Sequence, residues 1–160
     1  MERLILMRHG KAERHAQSGG DFERALAESG RADAAVMGQV LAGAGVAPDL
    51  LLVSSARRTR ETAERVAPNF PKARVEQLRD LYHADPEDVV QVIEAHAEGA
   101  ATIMVVGHNP GLHELALRLA IQAEFGGWEL KRTRLYPDGS RKVLLRRKRT
   151  RTVPREAGPA

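Results

Sequence analysis

The chain of 160 residues contains no cysteine. Disulfides, thiolate metal ligands and a cysteine nucleophile are excluded together. Aromatic residues are nearly as scarce, with one Trp, two Tyr and three Phe. No apolar run approaches the roughly 20 residues of a membrane-spanning helix. The N-terminal run, Leu4 to Met7, is too short for a signal peptide, and no small-residue cleavage site follows it. A cytoplasmic protein with no membrane partner is the expectation, and the length suits one compact domain with a real core.

Charge is plentiful but unevenly placed. The net charge is +4, from 25 Lys and Arg against 21 Asp and Glu. Eleven of the bases, and a single acid (Asp138), fall in residues 131–155. Residues 1–130 therefore form an acidic body, and the sequence pI of 9.8 describes only the C-terminal end. Tyr136 is the only aromatic residue in that basic stretch, so no base-stacking platform accompanies it and a nucleic-acid partner is not favoured. The last residues, 148–160, read as a basic disordered tail after a domain of 1–147.

Three short apolar runs recur: LILM (4–7), LLLV (50–53) and TIMVV (102–106). They are nearly continuous rather than alternating, which is the pattern of strands covered on both faces of a parallel sheet. ARVEQL (73–78) reads as a further strand. Helices are expected between them. One runs from about Ser29–Gly30 to Ala42 with Val36, Met37, Val40 and Leu41 inward, and ends at Gly43 and Gly45. A second follows a Ser55 cap and stops at Pro68. A third is capped by Asp85, opens on Pro86 and buries Val89, Val90, Val92 and Ile93, with Gly99 after it. A fourth is capped by Asn109, opens on Pro110 and repeats Leu112, Leu115 and Leu119. IQAEF and RKVLLRR could be strands joined through a turn at YPDGS. Strands alternating with helices predict an α/β three-layer sandwich around a mostly parallel central sheet.

The residues after each buried strand carry the functional signal. Arg8, His9 and Gly10 follow the first run. Ser54, Ser55, Arg57 and Arg58 follow the second, and Gly107, His108 and Asn109 the third. In an open parallel sheet the carboxyl ends of the strands form the ligand crevice, close to helix N-termini that favour anions. Arginine forks match phosphate oxygens in pairs. A neutral imidazole attacks phosphorus if its other ring nitrogen is held as a donor, and a second, protonated histidine can steady charge on the phosphoryl oxygens. The cationic side chains do the neutralising, so neither metal nor cofactor is required.

The motifs MRHGKAE, VSSARRTRETAE and VVGHNPGL resemble those of the histidine phosphatase superfamily, with its phosphoglycerate-mutase-like fold. Within it the chain looks most like the small SixA-type phosphohistidine phosphatases, over residues 21–64 and 81–96 as well, so that the resemblance spans about 1–120. It implies a phosphatase with a covalent phosphohistidine on His9. Arg8 and Arg58 would hold phosphate, and His108 would be the second histidine. Arg57, Asn109, Gly10 and Lys11 would be further substrate contacts. Larger members carry a carboxylate general acid on an insertion that the short stretch 63–107 lacks, and no acid is assigned here. An imidazole leaving group, with an ordinary pKa of about 6.5, is less demanding of one than an alkoxide. The expected substrate is phosphohistidine on a phosphorelay protein. Small sugar or nucleotide-derived phosphomonoesters are the alternative, and a module binding phosphorylated ligands or nucleic acid is the non-enzymatic reading.

Other polar residues have plainer readings. Ser54 and Ser55 suit a helix cap, since no G-x-S-x-G surrounds them. His15, His83, His96 and His113 read as surface or packing residues, and Arg60 as part of a solvated helix face. Arg24 and Lys11 could rim the pocket, with Tyr82 a packing residue whose hydroxyl meets its edge. His108 and His113 do not form a metal-binding motif.

Overall fold

A computed structural model of the chain describes residues 1–124, 128–135 and 141–147. The expected YPDGS turn and basic tail lie outside those residues. Two compact units are present, Met1–His113 and the segment from Glu114 onward. Among the described residues no helix is long and apolar enough to cross a membrane.

The first unit holds a four-stranded, fully parallel sheet of order β1-β4-β2-β3. Its strands are β1 (Arg3–Arg8), β2 (Leu50–Ser54), β3 (Arg74–Leu78) and β4 (Thr102–Gly107), with helices α1 (Glu28–Gly43), α2 (Arg57–Val66) and α3 (Pro86–His96) between them. Right-handed crossovers dictate the layers. The β1-to-β2 and β2-to-β3 connections run the same way across the sheet, so α1 and α2 share a face, where they pack together. The β3-to-β4 connection runs back, which assigns α3 to the opposite face. Central strands are accordingly buried at both parities. Leu51, Val53, Met104 and Val106 join Ala63, Val66 and Phe70 in one cluster, while Leu50, Leu52, Ile103 and Val105 are fully buried with the other parity. Truncating one such leucine to alanine costs about 2–5 kcal/mol.

Several expectations need correcting. The buried side of α1 is Gly30, Ala34 and Gly38, while Val36, Met37 and Val40 are exposed and Leu41 is half-buried. The reason is close helix packing. A Cβ on Gly38 would collide with the Asn69 side chain at the end of α2, so small residues, not large ones, face the neighbour. Ser55 does not cap α2. Ala56 holds that position and offers no side-chain bond. By contrast Asp85 caps α3 as expected, its carboxylate accepting from the Asp88 amide at 2.9 Å, with Pro86 at the first position. Val90 and Leu119 are exposed rather than buried.

The fourth helix, α4, spans Gly111–Glu124 and begins after Pro110, with the Leu112 amide donating to His108 O. It absorbs most of IQAEF, which is therefore not a strand. The second unit also contains the antiparallel pair β5 (Trp128–Leu135) and β6 (Arg141–Arg147), in register from Trp128↔Arg147 to Leu135↔Arg141 with an irregularity between Leu130 and Arg132. RKVLLRR is β6, as expected, but its partner starts later than the sequence pattern suggested.

Candidate active site

Strand register brings the two histidines together. Arg8 pairs with Gly107 as the last residues of β1 and β4. His9 and His108 each follow by one residue, and the His9 amide donates to Gly107 O at 3.1 Å. Their ring centroids stand 5.3 Å apart. On the other side of β4, Val53 pairs with Val106, so the next residue of β2, Ser54, lies beside Gly107 and its Oγ meets His108 Nε2 at 2.8 Å.

The loop that presents His9 is pinned by backbone contact. A Cβ on Gly10 would stand 2.6 Å from Gly30 O, so glycine is needed where the loop meets α1. Thr62 accepts from the Gly10 amide at 3.1 Å and donates to Arg58 O at 2.7 Å, tying the same loop to α2.

Arg58 is the hub. It is 2% exposed and projects from the first turn of α2. Its Nη1 donates to Asp21 O at 2.7 Å and its Nη2 to Asp21 Oδ2 at 2.9 Å. Asp21 thus holds one edge of the guanidinium, leaving the Nε/Nη2 edge for the histidines. Nε donates to His9 Nε2 at 3.2 Å, and Nη2 to His108 Nδ1 at 3.3 Å. Arginine can only donate, so these ring nitrogens are acceptors and the tautomers follow. His9 carries its proton on Nδ1 and donates it to Gly10 O at 2.7 Å. His108 carries its proton on Nε2 and donates it to Ser54.

Burial pushes His9 below the ordinary imidazole value of 6.5. The Gly10 carbonyl opposes this, and Arg58, Arg8 and Arg24 reinforce it. His108 is lowered to about 3, again chiefly by burial and then by Arg58, His9 and His83. Burial first, and then the guanidinium on its Nδ1 side, thus favour the neutral ring over the protonated second histidine expected from sequence. Asp21 is held well below the usual carboxylate range, first by the Tyr82 hydroxyl, which donates to it at 2.7 Å, and then by Arg24 and Arg58. The Tyr82 hydroxyl is raised by burial and by that same carboxylate.

Arg8, His9, Arg24, Arg58 and His108 line a cleft of ≈ 540 Å³. Of the residues anticipated from sequence, Arg8, His9, Gly10, Lys11, Arg58, His108 and Asn109 all reach it. Arg57 does not. Its Nε donates to Glu61 at 2.9 Å, and Glu61 in turn accepts from the Leu26 amide at 2.7 Å, so Arg57 belongs to the brace between α2 and the 24–27 segment. Arg24 lines the cleft, as allowed for, whereas the Tyr82 hydroxyl is taken by Asp21 and neither of those two residues is in the lining.

Three participants were missed. Asp21 had no signal, being one acid in a polar loop. Ser54 was read as a cap, but its hydroxyl serves His108. His83 was read as surface or packing, yet it lines the cleft. Five residues beyond β3, it could have been found by inspecting the end of every strand, including the least apolar one. Among the described residues no group of three or more His, Asp or Glu could hold a metal ion.

Comparison with known proteins agrees with this geometry. The family model described as histidine phosphatase superfamily (branch 1) matches residues 4–98, and a model of a family of unknown function matches 104–148. An uncharacterized chloroplastic protein of Arabidopsis thaliana is 34% identical over 128 residues, covering 74% of this chain and 59% of that protein. The chain thus spans about three fifths of that relative's length. A crystal structure of a SixA protein from Agrobacterium tumefaciens is 32% identical, with TM-score 0.67 over 77% of this chain and 78% of the other. One from Nakamurella multipartitia is 30% identical, with TM-score 0.68 over 76% and 67%.

Proposed function

The chain belongs to the histidine phosphatase superfamily, and from that premise we infer that it is a phosphatase working through a phosphohistidine on His9, with phosphohistidine on a protein as its first substrate. The observation that carries the mechanism is the His9 tautomer. Nδ1–H is committed to Gly10 O, so the Nε2 lone pair faces the free edge of Arg58. A phosphoryl group binding at that edge displaces the contact to His9 and places phosphorus before Nε2. Arg8 and Arg58 receive its oxygens. Its negative charge also opposes the influences that hold His108 neutral, so the ligand favours protonation of the residue that then steadies it. Water releases the phosphoryl group from His9 in a second step. Similarity to SixA proteins at 30–32% identity supports the protein substrate.

The test is incubation with a phosphohistidine-bearing phosphotransfer protein, followed by acid quench. Acid-labile phosphate should appear on the wild-type chain and be absent from His9→Ala, and turnover should be unchanged by EDTA. Turnover that survives His9→Ala would sink the covalent mechanism.

A further inference from the structure

His83 is the one imidazole of the cleft that this mechanism leaves unused. Its φ is +51°, a left-handed backbone that residues other than glycine rarely adopt. Such conformations concentrate at functional sites. Its side chain is 56% exposed, in open exchange with solvent. Every element around it contributes a polar group. Asp21 Oδ2 from the 21–23 turn lies 3.2 Å from its Nε2, and Arg58 Nη2 from α2 is also 3.2 Å from it. The rings of Tyr82 and of His108 stand 4.3 and 5.2 Å away. Nδ1 has no hydrogen-bond partner among the described residues. His9 and His83 both contact the His108 ring, and among the described residues their own rings do not touch. His9 follows β1 and His83 follows β3, the two edge strands of the sheet, so they enter the cleft from opposite ends of the strand order with His108 of β4 between them.

Phosphoryl transfer needs the nucleophile and leaving oxygen in line on opposite sides of phosphorus. With His9 Nε2 on one side, the leaving oxygen falls toward the part of the cleft that His83 lines. We propose that His83 is the acid that protonates the leaving group, oriented by Asp21, and that the cleft thereby also hydrolyses phosphate monoesters of ordinary alcohols. This rests on the His9 mechanism above. Asp21 cannot be that acid itself, because Tyr82, Arg24 and Arg58 hold it ionised. It is the positioning residue: both Arg58 Nη2 protons are committed, to Asp21 Oδ2 and to His108 Nδ1, so His83 Nε2 keeps its own proton and donates it to Asp21, as an aspartate orients the histidine of a catalytic triad. In the first step the His9 Nε2–P bond forms and the P–O bond breaks, its electron pair staying on oxygen, which takes the proton from His83 Nδ1. In the second, neutral His83 accepts a proton from the attacking water while the P–N bond breaks and its pair returns to His9 Nε2. The sum is monoester plus water giving alcohol plus phosphate.

The experiment compares leaving groups. His83→Asn is the informative variant, since asparagine tolerates the left-handed backbone, and His83→Gln is its companion. Each is assayed on p-nitrophenyl phosphate, whose phenolate departs without help, and on glycerol 2-phosphate, whose alkoxide does not. A loss in kcat/KM of about 10²-fold or more on the alkyl ester, with less than about 3-fold on the aryl ester, supports the assignment. Asp21→Asn also loosens the Arg58 brace, so it should slow both substrates, and the alkyl ester more than the aryl ester. Equal losses on both substrates would make His83 merely structural and overturn it. So would a wild-type enzyme that cleaves phosphohistidine and the aryl ester but not glycerol 2-phosphate, and in that case the His9 mechanism stands. A wild-type chain inert to all three, with no phosphate on His9, overturns both readings.

Discussion

The ends of β1 and β4 look alike in sequence and differ in chemistry. Each delivers a histidine one residue past its last paired position, and both histidines meet Arg58. At β1 the chain's own carbonyl takes the Nδ1 proton, so the exposed lone pair is on Nε2, as the proposed attack requires. At β4 the neighbouring strand's Ser54 takes the Nε2 proton, so Nδ1 is the acceptor and the buried ring is held neutral. One hydrogen bond, made locally in one case and across strands in the other, sets opposite tautomers on the two rings.

The comparison can be broken most sharply by rate measurements. His9→Ala removes the bond-forming atom and should lower kcat by about 10⁴-fold or more, with loss of acid-labile phosphate on the protein. His108→Gln should lower kcat by about 10²–10³-fold while phosphate on His9 still forms slowly. Adjacent arginines extend the contrast. Arg58→Lys, which removes the bidentate edge and the Asp21 brace, should lower kcat/KM by about 10²-fold. Arg57→Ala should leave kcat/KM within about 3-fold and cost at most about 1 kcal/mol, since its partner Glu61 is a part-exposed ion pair.

Acid stability probes the β4 side. Folding holds His108 neutral, with its pKa lowered from 6.5 to about 3. Below 6.5 the unfolded chain binds the proton that the folded one refuses. This contribution is therefore present above pH 6.5 and is lost progressively as pH falls toward 3. Urea midpoints for the wild type should decline across that window, and His108→Gln should flatten the decline. His9, lowered in the same direction, leaves a residual slope. Ser54→Ala, which strands the buried His108 N–H, should cost about 1–3 kcal/mol in urea unfolding.

Much of this was legible along the chain. Continuous apolar runs marked the buried strands because both faces of a parallel sheet are covered, and Arg8, His9 and His108 stood out because charge directly after such a run has no packing reason to be there. The inward face of α1 was misread because hydrophobicity cannot report close approaches, of the Lys11 backbone to Gly30 and of Asn69 and Val66 to Gly38, that leave room only for small residues. Arg57 and Arg58 could not be told apart by type. Which one points into the cleft depends on the rotation of α2, which gives Arg58 to Asp21, 37 residues away in the chain, and Arg57 to Glu61, one turn along the same helix.

What the sequence by itself determined is the order of strands and helices and the identity of the groups at the strand ends, since periodicity and turn chemistry act between near neighbours. Tertiary structure alone decided how those groups are used. Parallel register set His9 beside His108, and Asp21, 37 residues from Arg58 in the chain, chose which edge of the guanidinium remains free. His83 became a cleft residue only when β3 was laid next to β2. Hydrogen-bond donors and acceptors acquire a direction from partners that the chain brings from far away, and that direction is what separates a nucleophile from an ordinary histidine.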